Sequence, residues 1–102
     1  MVKPRIIAVK PLAGLQLEIV FGDGAQGVLD FGPLSDRAGF FSKLRDPAYF
    51  RQVCINEDGT LEWPGGLDLC PDVLHHLLAG SSLPGGGWLD DPGIRVLSSQ
   101  PR

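Results

Sequence analysis

The chain has 102 residues, 43% of them apolar and 21% charged; this is room for one domain with one core and excludes wholesale disorder. Its net charge of −3 and pI near 5.1 run against a chain whose task is to neutralise phosphates. The first apolar run, Ile6 to Val9, falls far short of the roughly 18 residues of a membrane span, and no signal-peptide pattern precedes it, so the expected location is cytoplasmic.

Arg5 to Lys10 is short and rich in β-branched residues, the composition of a strand, and Pro11 closes it because proline cannot donate to a ladder. From Leu15 to Phe21 the pattern alternates strictly. Leu15, Leu17, Ile19 and Phe21 fall on one face and Gln16 and Glu18 on the other, as in an antiparallel strand with one buried face. Gly22-Asp23-Gly24 then supplies a hairpin turn, and a third strand is predicted over Gln26 to Phe31.

Gly32-Pro33 breaks the sheet. Ser35-Asp36 predicts the cap of a short helix reaching about Arg45, with Phe40, Phe41 and Leu44 facing the core. Asp46-Pro47 predicts a second, single-turn start through Phe50. Val53 and Ile55 alternate inward on a fourth strand, Glu57-Asp58-Gly59 is the second hairpin turn, and Thr60 to Trp63 is a fifth strand with Leu61 and Trp63 inward. Pro64-Gly65-Gly66 forces a further turn. Pro71 suits a first helical position, Asp72 the positive end of the helix dipole, and Val73, Leu74, Leu77 and Leu78 form one apolar stripe.

Beyond Gly80 the composition changes. Gly80 to Gly87 is rich in Gly, Ser and Pro, the composition of a linker. The apolar residues Trp88, Leu89, Ile94, Val96 and Leu97 follow it. Such residues are costly to leave in water and mark a segment that docks on a partner or on its own domain. The strand-forming run Ile94 to Leu97 favours edge-strand addition as the mode. The expected organisation is therefore a compact unit over residues 1–80 and a flexible Gly/Pro-rich extension over 81–102. The expected fold class is α+β: an antiparallel sheet of about five strands built from hairpins, with one main helix packed on a face.

Residues 1–51 carry a balance of +2 and residues 52–102 a balance of −5. The acidic half suits a basic partner, although charges of this size commonly form a solvated face. Cys54 and Cys70 are expected to be reduced thiols. Cys70 with His75 and His76 offers soft ligands, but adjacent helical histidines point about 100° apart and seldom reach one metal. No zinc site and no cofactor is expected. Cys70 near a helix start, with a histidine, and the carboxylates Asp68 and Asp72 are candidate catalytic groups; a weakly capping or packed thiol accounts for the first as well, turn formation for Asp68 and dipole complementation for Asp72. No phosphate loop is present, since neither Gly-rich stretch has the required spacing. Lys3, Arg5 and Lys10 form a thin basic set, and Tyr49 and Trp63 could stack bases, but Trp63 in an alternating strand reads as a core anchor.

The order of elements, with Pro4-Arg5-Ile6, Val9-x-Pro11-Leu12, Phe21-x-Asp23-Gly24, Asp30 with Leu34, the Phe50–Val53 step and above all Trp63-Pro64-x-Gly66-x-Asp68-Leu69-x-Pro71-Asp72, resembles the small bacterial domain-of-unknown-function 2442 family. The resemblance covers about residues 2–80 and leaves the tail outside. It implies a compact α+β fold and no established activity. It also implies two settings found among such domains: regulators with an added helix-turn-helix, and members set beside a second small protein in arrangements similar to toxin–antitoxin pairs. The chain lacks the added helices. The expectation is a non-enzymatic protein-interaction module, antitoxin-like or accessory in a two-protein system. Its partner would be another small protein or a second copy, bound through Trp88, Leu89, Ile94, Val96 and Leu97, with no membrane contact. The alternative is a nucleic-acid-associated regulator acting through a partner.

Overall fold

The structure, a computed structural model, describes residues 4–36, 39–79 and 94–100. It is α+β, with two antiparallel sheets and few helices. The first sheet holds β1 (Ile6–Pro11), β2 (Gln16–Phe21), β3 (Gln26–Asp30) and β7 (Arg95–Gln100), in the order β1-β2-β3-β7. The second holds β4 (Cys54–Ile55), β5 (Leu61–Trp63) and β6 (Leu67–Leu69), in that order. This corrects the single sheet of about five strands.

The division has a local cause. Between β3 and β4 lie three short helical segments: α1 (Gly32–Ser35), a 3₁₀ turn (Phe40–Arg45) and α2 (Pro47–Phe50). They carry the chain away from the β3 edge before the second hairpin begins, so β4 cannot extend the meander. The expected helix from Ser35 to Arg45 is also corrected. Ser35 ends α1 rather than capping a later helix, and Gly39, at φ +89°, interrupts the path. Phe41 packs against the core and Leu44 is buried, while the side chain of Phe40 lies outside those described. The second start is as expected: Pro47 opens α2 and the Asp46 carboxylate accepts from the Ala48 N–H at 3.0 Å.

Both hairpin turns have one design. Phe21 and Ala25 close the first and Asn56 and Thr60 the second, so each loop has three residues. The last is a glycine with positive φ, Gly24 at +97° and Gly59 at +75°. An acceptor side chain stiffens each turn: Asp23 Oδ1 takes the Ala25 N–H at 2.9 Å, and Asn56 Oδ1 takes the N–H groups of Asp58 and Thr60.

A sixth strand, β6, follows the Pro64–Gly66 turn and pairs Leu67 with Trp63. Its three residues were too few to show a period. α3 (Pro71–Ala79) begins at Pro71, with Asp72 in its first turn. Leu17, Ile19, Leu61, Trp63, Leu74 and Leu78 are buried in one cluster, with Val53 and Ile55 packed against it. Both sheets and α3 thus share a single core. Trp63 anchors it: the side chain is 1% exposed, and its Nε1–H donates to the Phe50 carbonyl at 2.9 Å.

Candidate functional site

The segment expected to be a flexible extension contains strand β7, Arg95–Gln100, which joins the first sheet beside β3. Trp88 and Leu89 lie outside the described residues. Ile94 packs against the core, whereas Val96 is 41% and Leu97 49% exposed. The structure therefore brings three of the five predicted residues to one end of the sheet and divides their roles: Ile94 inward, Val96 and Leu97 toward solvent. β7 is the edge strand, with β3 on one side and no strand among the described residues on the other.

The seat for β7 is built into β3. Gly27 lies opposite Ser99. A Cβ at Gly27 would overlap the Ser98 carbonyl oxygen, approach Leu78 Cδ2 at 2.6 Å and approach Ser99 Cα at 3.0 Å. Strand β7 and helix α3 thus close over β3 only because that residue has no side chain. The register then slips between Val28, opposite Ser98, and Leu29, opposite Val96. Leu97 is the extra residue of this bulge and has no partner on β3.

Pro4, Arg5, Asp58, Thr60, Asp68, Cys70, Pro71 and Asp72 line an open cleft of about 660 Å³. The β4–β5 turn forms one wall. Gly59 accepts from the Ile6 N–H at 3.0 Å through its carbonyl, and Arg5 donates from Nη2 to the Glu57 carbonyl at 2.6 Å. Three carboxylates, Asp58, Asp68 and Asp72, against the guanidinium of Arg5 make the cleft acidic. Asp68 and Asp72 do share the cleft, and the Cys70 thiol reaches Asp72 Oδ2 at 3.6 Å, but neither His75 nor His76 lines it.

His75 is engaged elsewhere. Its Nε2 lies 2.7 Å from Asp23 Oδ2, and its ring stands edge-on to Phe21 with centroids 4.8 Å apart. The contact ties α3 to the β2–β3 turn across 52 residues of sequence. The Ala25 N–H first, and the His75 side chain second, hold the Asp23 carboxyl below its ordinary pKa. This places His75 on Asp23 rather than on Cys70; among the described residues no three His, Cys, Asp or Glu side chains are placed to hold one metal ion. Both cysteines are free thiols, and that of Cys54 points to the Glu62 carbonyl at 3.5 Å. Of the basic set, Lys3 lies outside the described residues, Arg5 is engaged as above, and Lys10 stands opposite Glu18. The Tyr49 hydroxyl donates to the Pro64 carbonyl. No helix among the described residues is long and apolar enough to cross a membrane.

Sequence reasoning missed the Gly27 seat, the Asp23–His75 contact and the Arg5 wall. A glycine inside an alternating strand was the available signal for the first, since it marks a bulge or a close approach of backbone. The other two join residues more than fifty positions apart and leave no local pattern. No curated protein and no solved structure matches the chain. A family model described as "Protein of unknown function (DUF2442)" matches residues 6–79, from the first residue of β1 to the last of α3 and short of β7. With nearly three-quarters of its length matched, and with the Trp63–Asp72 run inside the match, the chain belongs to the DUF2442 family.

Proposed function

We propose that this protein is a non-catalytic interaction module, the antitoxin-like or accessory member of a two-protein bacterial system, which docks its partner by strand pairing at the β7 end of the sheet. The observation that supports this reading is the exposed edge strand itself. β7 presents its outer backbone row together with Val96 and Leu97, two large apolar side chains in solvent. Unpaired strand edges recruit strands, and adjacent apolar side chains give the contact its selectivity. The acidic cleft beside Arg5 favours a protein partner over nucleic acid, because it would repel phosphates.

The test is purification of the tagged full-length chain and of its V96D/L97D variant from the source cell. The wild type should retain one small protein in near-stoichiometric amount, and the variant should lose it while keeping its far-UV circular dichroism. Retention of the same protein by both, or of none by the wild type, refutes the reading.

A further inference from the structure

The two edges of the first sheet differ in what they offer an incoming strand. Along β1, the hydrogen bond from the Leu12 N–H to the Gln16 carbonyl, 2.8 Å, sets the alternation. It turns the backbone of Lys10 and Ala8 toward β2 and that of Pro11 and Val9 outward. Pro11 has no donor to offer there, the Ile6 N–H is already given to the Gly59 carbonyl, and a bulge at Ile7 breaks the row. These devices close the β1 edge to strand addition. β7 keeps its donors: no proline lies between Arg95 and Gln100, and β3 is its one hydrogen-bonded neighbour among the described residues. Its own bulge, at Leu97, leaves the apolar pair Val96 and Leu97 in solvent.

Beside that pair stands a cation with its charge unspent. Arg95 lies opposite Asp30, but Asp30 Oδ1 accepts the Gly32 N–H at 2.9 Å, and among the described residues Arg95 has no ion pair. Ser98 and Ser99 follow on the other side of the pair. We infer that the segment which the partner lays along β7 is an extended strand with a carboxylate next to two apolar residues. The carboxylate lies opposite Arg95, the apolar residues cover Val96 and Leu97, and small polar residues run along Ser98 and Ser99. Backbone pairing supplies the affinity, and the Arg95 charge selects the sequence and fixes the register. The inference rests on the interaction reading above and names the chemistry of the partner at that same edge.

The test titrates the full chain with synthetic peptides and follows its amide resonances. TTIVETT and TTEVITT set a glutamate on Arg95 in an antiparallel and a parallel pairing; TTIVKTT and TTKVITT are their lysine counterparts. One glutamate peptide should bind at least about threefold more tightly than its lysine counterpart, the size expected when an exposed attraction becomes a repulsion. The preference should shrink as salt is raised, and the amide shifts should fall in Arg95–Gln100 rather than in Ile6–Pro11. Arg95→Gln, with its circular dichroism unchanged, should bind both peptides of the pair alike. Equal affinity of the wild type for glutamate and lysine peptides, a preference that survives Arg95→Gln, shifts concentrated in β1, or no binding of any peptide at millimolar concentration overturns the inference. If the glutamate preference appears but no partner is retained from the cell, the chemistry of the edge stands and the two-protein reading falls. If a partner is retained but the glutamate preference is absent, the inference falls alone.

Discussion

Replacing Trp63 with its sulfur isostere, 3-benzothienylalanine, would remove one proton from the centre of the core and little else. In the native protein the indole N–H donates to the Phe50 carbonyl at 2.9 Å in a buried setting, and the side chain is 1% exposed. The isostere keeps the bicyclic shape, so packing against Phe50, whose ring lies 6.1 Å away and tilted by 32°, is retained. What is lost is the hydrogen bond. Leaving a buried acceptor without its donor costs about 1–3 kcal/mol. Trp63→Phe loses the same bond and also leaves a void of a few tens of Å³; at about 24 cal/mol per Å³ that adds roughly 1 kcal/mol. The expected order is therefore wild type, isostere, phenylalanine, with total losses of about 1–3 and 2–4 kcal/mol. Urea unfolding followed by far-UV circular dichroism is the assay, because substituting one of the two tryptophans alters fluorescence directly. An isostere within about 0.5 kcal/mol of the wild type would refute the assignment of the Trp63–Phe50 bond as a stabilising contact.

Leu74→Ala should cost about 2–5 kcal/mol, since Leu74, on the inner face of α3, is fully buried; a loss under about 0.5 kcal/mol in the same assay would show that the helix does not pack as described. Gly27→Ala should cost about 1–3 kcal/mol by overpacking, and in amide exchange it should deprotect β7 before β2, because the new methyl meets the Ser98 carbonyl; unchanged β7 protection would contradict the close approach. The Asp23 carboxyl is held below its ordinary value by the Ala25 N–H and then by His75, so its stabilising effect is fully present above the unfolded-state value of about 3.9 and is lost as pH falls through the lower folded-state value. The stability gap between wild type and Asp23→Asn should accordingly be present at pH 6 and shrink below about pH 4; a gap independent of pH between these points would refute the linkage. His75→Gln should weaken that same pH dependence, which a pH series of urea midpoints on the double variant would resolve.

Local patterns in the sequence determined much of the molecule. Alternation from Leu15 to Phe21 placed Leu17, Ile19 and Phe21 in the core, and all three are buried. Asp46-Pro47 and Pro71-Asp72 opened helices at the residues expected. The two glycines that end the hairpin loops lie where positive φ is needed. These features are set within a few residues of chain, where backbone sterics and side-chain period act alone. Even Trp63 was legible as an anchor, although its acceptor on Phe50 was not.

What only the tertiary structure decided is how those pieces meet. The helical segments between Gly32 and Phe50 part the sheet in two, a consequence of path rather than of any single propensity. Asp23 finds His75 across 52 residues, and Arg5 finds the Glu57 carbonyl across the same separation. The tail was readable as apolar and strand-forming, but strand propensity does not specify which edge a strand joins. That choice rests on Gly27: the absence of one Cβ on β3 admits Ser98, Ser99 and Leu78 together. Steric complementarity between segments about seventy residues apart is a property of the folded surface, so the seat of β7 appears only once that surface exists.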